Sequence, residues 1–281
     1  MSPAAGRPDW PALPRRKQSA GRPRVFALGG ELDPRTRWLF RMASVVAPLA
    51  VWWLLASFGH VDPKFLPSPG AVWHAGVRMY RDGVLAHDFL ASVERVGKGF
   101  GIAVAISVPL GVLMGSFRAA QALLEPVVGL LRYLPASAFI PLLIIWLGLG
   151  EKSKVTLLVI GVVFFNTLMT ADAVRLVPRE LLAVSATLGA TQREILLKVV
   201  VPHALPSMID AMRVNAAAAW NFVVVAELIA ATSGLGYRIS RSQRFLQTDR
   251  IFAVLVVIAL IGLTIDLLLR LLRDRVGRWI G

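Results

Sequence analysis

Six apolar runs, each near the length of a bilayer-crossing helix, constrain this 281-residue chain more than any other feature. About 20 apolar residues in a helix span the hydrocarbon core. The runs are Phe40 to about Gly59, Phe89 to about Gly115, Leu123 to about Gly148, Lys154 to about Val174, Met208 to about Ala231 and Ile251 to about Leu272. In lipid, every backbone N–H and C=O must be satisfied within the protein. The expected fold class is therefore an all-α membrane protein with about six transmembrane helices. A hydrophobic content of 56 % rules out an ordinary soluble domain. The third run carries Pro126, Pro135 and Pro141 and is expected to be irregular, as is tolerated where neighbouring helices re-satisfy the backbone.

The flanking segments divide by composition. Residues 1–38 are rich in Pro, Gly, Arg and Ser and predict a disordered basic tail. Residues 39–59 predict an uncleaved N-terminal anchor, because the run exceeds a signal-peptide core and no small-residue cleavage site follows. Residues 60–88 are polar, with Ser68-Pro69 as a helix start. Trp73, Val77, Tyr80 and Val84 then recur at helical spacing, which predicts an amphipathic helix lying in the outer interface. Residues 89–275 form the main transmembrane domain.

The net charge of +14 does not point to nucleic acid, because no aromatic-basic interleaving accompanies it. The charges flank the apolar runs, as orientation signals and contacts to anionic lipid of the bilayer do. With both termini in the cytoplasm, the inner side carries the basic tail, Arg118, Arg175, Arg179, Arg193, Lys198, Arg270, Arg273, Arg275 and Arg278. The outer side carries Lys64, Arg78, Arg81, Lys152, Lys154 and the cluster Arg238, Arg241, Arg244 and Arg250, which can attract an anion or the acidic face of a partner.

Residues 176–206 interrupt the apolar pattern with a polar, helix-forming stretch longer than a turn-around requires. Pro178 suits the first turn of a short helix and Gly189 its C′ end. Thr191 and Glu194 read as a capping box opening a second helix, which carries Ile195, Leu196, Val199 and Val200 and is expected to stop at Pro202. A structured, partly apolar knob on the membrane surface is a docking element, with Leu188, Gly189, Ile195 and Leu196 among its expected contact residues.

Catalytic and metal chemistry find no support. The chain has no G-x-x-x-x-G-K-[ST] loop, no His-Glu-x-x-His and no cysteine, and His60, His74, His87 and His203 lack ligand spacing. No catalytic or metal residues are assigned. Polar residues within or near the spans are Arg132, Asn166, Asp172, Asp210, Arg213, Asn215, Asn221, Glu227 and Asp266. Such groups are costly in lipid unless they face a partner or a wet cavity. Asp266 and Arg270 are spaced to pair on one face, and Asp210 and Arg213 read as structural. Arg132, Asn166, Asn215 and Glu227 are the candidates for a translocation path, with Glu227 as a gate or as the group that neutralises Arg132. The alternative for each is helix–helix hydrogen bonding.

The chain resembles the permease subunit of bacterial binding-protein-dependent ABC importers, in the nitrate/sulfonate/taurine/bicarbonate branch. The resemblance runs from Phe65-Leu-Pro-Ser-Pro69 through Ser92-Val-Glu-Arg-Val-Gly-Lys-Gly-Phe100 and Arg132-Tyr-Leu-Pro135. It continues through Ile140-Pro-Leu-Leu-Ile-Ile-Trp-Leu-Gly-Leu-Gly-Glu151, Ala219-Trp-Asn-Phe-Val-Val-Val-Ala-Glu227 and Gly234-Leu-Gly-Tyr237. The polar interruption matches the family's ATPase-coupling motif at Gly189, Ala190, Pro202 and Pro206. The signature Glu of that motif is replaced by Ala183, and Glu180 stands one turn earlier as a substitute. The resemblance implies a homodimer with a second permease copy, two ABC ATPase subunits holding ATP and Mg, and a periplasmic or lipid-anchored solute-binding protein. It also implies the bacterial inner membrane and no cofactor or enzymatic activity in this chain. The implied cargo is a small oxyanion such as nitrate, bicarbonate, a sulfonate or taurine. Competing readings are an importer for a thiamine-precursor-type or other organic solute, a non-transporting scaffold or channel, and an intramembrane enzyme.

Overall fold

The computed structural model describes residues 33–59 and 61–279. The tail expected over residues 1–38 therefore lies mostly outside the described residues. Helix α1 (Pro34–Phe58) begins earlier than the expected Phe40, with Pro34 in its first turn, where a missing N–H costs nothing. None of its side chains is buried within the chain. A helix of this length that is apolar on every face has lipid as its solvent.

A second unit begins at Leu55, within the last turn of α1, and includes the rest of the chain. Helix α2 (Pro69–Arg81) starts where Ser68 Oγ accepts a hydrogen bond from the Ala71 N–H, as the Ser-Pro pair predicts. Its buried face is Val72, Ala75 and Met79, whereas Trp73 and Tyr80 are exposed. The aromatic stripe is thus not the packing face: α2 sits on the bundle through Val72, Ala75 and Met79, with Gly76 beside Ala253.

The centre of the bundle is α3 (Val84–Ser116) against α6 (Glu151–Arg175), with α9 (Val201–Ala230) beside them. Gly99, Ala103, Ser107, Gly111 and Gly115 repeat every four residues along one face of α3, and all but Gly115, which is half-buried, are buried. A Cβ on Gly111 would lie 2.6 Å from the Thr167 carbonyl oxygen, and one on Gly115 2.7 Å from that of Ala171. Backbones come this close only across small residues, the usual device where apolar burial cannot drive helices together in lipid.

The third expected span is a bent pair. α4 (Arg118–Leu131) and the segment Ala136–Leu147, a 3₁₀ turn followed by α5 (Ile140–Leu147), meet at 79°. Pro135 holds the chain extended at the break, and Pro141 occupies the first turn of α5. Ile140 and Leu143 pack with Leu157 and Ala226. Five straight helices and this pair make up the membrane-spanning set among the described residues.

Between α6 and α9 lie α7 (Arg179–Thr187) and the single turn α8 (Gln192–Glu194). Pro178 is the N-cap of α7 rather than part of its first turn. The second short helix does not stop at Pro202. A π-helical segment, Ile195–Val200, follows α8 and runs directly into α9, so the helix is continuous from Gln192 to Ile229. Val201 N–H donates to the Leu196 carbonyl, five residues back. This shifted register accommodates a proline ring that would break an α-helical ladder. Beyond α9, α10 (Leu235–Arg244) and α11 (Thr248–Val276) complete the chain.

Candidate functional site

The connectivity puts two distinctive regions at opposite ends of the bundle. The α7–α8 hairpin joins the end of α6 to the beginning of α9. The beginnings of α3 and α6, the end of α9 and the start of α10 meet at the other end.

The hairpin is built by local hydrogen bonds. At the end of α7, Gly189 has φ +83°, the Gly189 N–H donates to the Ala186 carbonyl, and the Ala190 N–H donates to the Ser185 carbonyl. This pair of bonds is a Schellman closure, with Gly189 at C′. No atom lies within 4 Å of a Cβ added there, so only the left-handed backbone demands glycine. Thr191 Oγ1 accepts from the Glu194 N–H at 3.3 Å, and Glu194 Oε2 accepts from the Thr191 N–H at 3.1 Å, completing the capping box. Lys198 Nζ reaches Glu194 at 3.1 Å.

Along α7, Leu181, Val184 and Leu188 fall at helical spacing and are 40, 59 and 83 % exposed. That stripe is the unpartnered apolar face of the hairpin. Ile195 and Leu196, expected as contact residues, are half-buried and pack against the cluster of Val174, Val177, Val200 and Met208. Their side chains anchor the hairpin to the bundle. Glu180 and Ala183, the motif positions on α7, are both exposed. Pro202 and Pro206 lie inside the continuous helix.

The opposite end is a buried ion clamp. Arg95 on α3 is 4 % exposed. Its Nε and Nη2 form a bidentate pair with Glu151, the first residue of α6, Nη2 at 2.8 Å from Oε1. Its Nη1 donates to Glu227 of α9 at 2.6 Å and to the Ser233 carbonyl at 2.8 Å. Glu227 also accepts from Ser92 Oγ and from the Gly236 N–H at 2.9 Å. Asp88 accepts from the Gly234 N–H and pairs with Arg238 of α10 at 2.6 Å. Lys154 closes on Glu151 at 3.0 Å. Gly234, at φ +116°, touches this cluster so closely that a Cβ would fall 2.4 Å from Glu227 Cδ. Every polar atom of Glu227 is thus bonded within the chain, as a buried carboxylate requires.

Of the four path candidates, the structure brings Asn166 and Asn215 together. Asn215 Nδ2 donates to Asn166 Oδ1 at 3.2 Å, and Asn166 Nδ2 donates to Ser107 Oγ at 2.6 Å, linking α9, α6 and α3. Glu227 lies in the clamp, where its cationic partner is Arg95 and not Arg132. Arg132 is exposed at the α4 break, bonded to Tyr133 Oη at 3.0 Å with its guanidinium over that ring. Asp172 and Asn221 are exposed rather than buried. Asp266 pairs with Arg213 at 2.8 Å, not with Arg270, and Asp210 bridges Arg213 and Arg273.

Sequence reasoning passed over Asp88, Ser92, Arg95 and Glu151. Two signals pointed to them. Asp88, Ser92 and Arg95 are spaced to share one face of α3, and Ser92, Arg95 and Glu151 all stand within the stretches that carry the family resemblance.

Residues 107–278 match the family described as binding-protein-dependent transport system inner membrane component. The taurine transport system permease protein TauC of Escherichia coli K12 is 35 % identical over 83 % of this chain and 86 % of its own length. The putative aliphatic sulfonates transport permease protein SsuC of the same organism is 32 % identical over 88 % of this chain and 95 % of its own. The riboflavin transport system permease protein RibX of Chloroflexus aurantiacus is 33 % identical over 88 and 96 %. Among solved structures, an inward-facing MetNI methionine ABC transporter aligns with a TM-score of 0.59 over 66 % of this chain and 92 % of its own, at 21 % identity. An amino acid ABC transporter with histidines aligns with 0.61 over 71 and 97 %, at 13 % identity. Both show the same fold.

Proposed function

This chain belongs to the binding-protein-dependent transport system inner membrane component family, and we propose that it is the membrane half of an ATP-driven importer for a small oxyanion, a sulfonate of the taurine type first. The single observation that carries the coupling role is the hairpin: capped at both joints, anchored inward by Ile195 and Leu196, and presenting Leu181, Val184 and Leu188 outward. A surface of this kind is complementary to an apolar groove on a partner ATPase, which would hold ATP and Mg. The hairpin end then faces the cytoplasm, in line with Arg118, Arg175, Arg179 and Arg193 on that side. The clamp end faces the periplasm and a solute-binding protein.

Two copies of the chain would enclose the route between them. Arg132 is an exposed cation at the break of the bent pair and is suited to meet an anion; Asn166, Asn215 and Glu227 would shape the walls through their bonds inside each copy. Transport is tested in proteoliposomes holding this chain, its ATPase and its binding protein. ATP-dependent uptake of labelled taurine or a short alkanesulfonate is expected, with uptake lowered in Arg132→Gln while ATPase association is retained. A second reading, an organic solute, rests on the similarity to RibX. Uptake of riboflavin with no sulfonate transport would replace the oxyanion reading.

A further inference from the structure

Where the hairpin meets the bundle, a cavity of about 720 Å³ lies between the end of α3, the start of α4, the end of α6 and the hairpin. Arg118, Arg175 and Arg179 contribute to its lining, together with Ser116 and Gln121. Val177, Leu182 and Leu196 contribute an apolar wall. Arg175 is matched by Glu125 at 3.2 Å and Asp172 at 3.1 Å, which uses the carboxylates at hand. Among the described residues, Arg118 and Arg179 have no ion-pair partner. Ser116 Oγ is buried without a hydrogen-bond partner. The first turn of α4 has no side-chain cap, so its N–H groups add partial positive charge beside Arg118.

We propose that this cavity binds an oxyanion group, sulfonate or phosphate, carried on an apolar body, and that its occupancy sets the position of the hairpin. The two unmatched guanidiniums suit the oxyanion, since planar forks bind such groups with two hydrogen bonds each. The idle Ser116 hydroxyl supplies a further donor. The apolar wall would be left wet by a bare inorganic ion, which selects an amphiphile. Two sources share this chemistry: an anionic phospholipid of the surrounding leaflet, and a free alkanesulfonate inside the cell. Because Leu182 lies on α7 and Leu196 on the π-helical segment that anchors the hairpin, a ligand seated here touches the docking element directly. That the cavity faces the cytoplasm rests on the orientation proposed above; that it binds an oxyanion does not.

The test uses the permease–ATPase complex in nanodiscs of phosphatidylcholine alone. Hexanesulfonate binding, read by calorimetry, is expected to exceed that of inorganic sulfate and to weaken at least about tenfold in the double variant Arg118→Gln/Arg179→Gln. Gln121→Glu adds a carboxylate to the lining without removing a cation, should weaken binding as well, and keeps the test open if the double variant fails to assemble. In a parallel arm, phosphatidylglycerol is included and lipid retained on the complex is counted by native mass spectrometry. Arginine-dependent retention with no hexanesulfonate binding assigns the site to lipid. Neither ligand responding to the variants overturns the proposal. A complex that binds hexanesulfonate but imports no sulfonate would undo the transport reading and leave the site standing.

Discussion

The two ends of the bundle solve the same problem, how to finish helices that leave the membrane, in opposite ways. At the hairpin, each cap is made by residues within five positions of one another, and apolar side chains remain outside. At the clamp, the bonds that join its helices link residues as far as 150 positions apart, and Asp88, Arg95 and Glu227 are buried. The hairpin thus leaves apolar side chains without a partner in this chain, whereas the clamp uses its bonding capacity internally. The docking role proposed for the hairpin thus rests on its apolar stripe, Leu181, Val184 and Leu188, rather than on exposed charge.

Substitutions can break that contrast. The largest effect is expected at Arg95→Ala, which strands Glu227 as a buried carboxylate without its cation; removing one partner of such a pair costs about 3–5 kcal/mol. Thermal unfolding of the purified protein should show the loss, and a midpoint unchanged from wild type would mean the clamp is not a structural device. Gly189→Val comes next. It forces a β-branched residue into the left-handed region, at about 1–2 kcal/mol. Because nothing crowds its Cβ, the bundle should stay folded while ATPase capture in a pull-down falls; undiminished capture would remove the hairpin from the docking role. Thr191→Ala is the mildest of the three. Loss of the cap should cost about 1 kcal/mol, felt as faster hydrogen exchange confined to residues 191–200. Exchange spreading to the clamp would show that the two ends are less separable than their bonding suggests.

The same contrast explains what the sequence could disclose. The hairpin was legible down to single residues because Schellman closures and capping boxes are written within a few positions, as at Gly189 and Thr191. The apolar runs were legible because lipid imposes length and composition. What stayed hidden depended on distance along the chain. Glu227 was visible as a costly carboxylate, but nothing local said that its partner is Arg95 rather than Arg132. Asp266 had a well-spaced neighbour in Arg270 and still pairs across to Arg213 on α9. The run through Pro202 was misread for a related reason: a π segment repairs upstream what a proline breaks, and no short motif announces it.

Helix α6 has a further consequence. Its first residue, Glu151, is gripped by the clamp, and its last, Arg175, stands at the threshold of the hairpin. Between them runs a strut about 37 Å long. Its flank meshes with α3 backbone to backbone at Gly111 and Gly115, leaving no cushion of flexible side chains to absorb a push. Close packing of this kind favours movement of α6 as a rigid body. On the coupling role proposed for the hairpin, a displacement there would be passed along α6 toward Glu151.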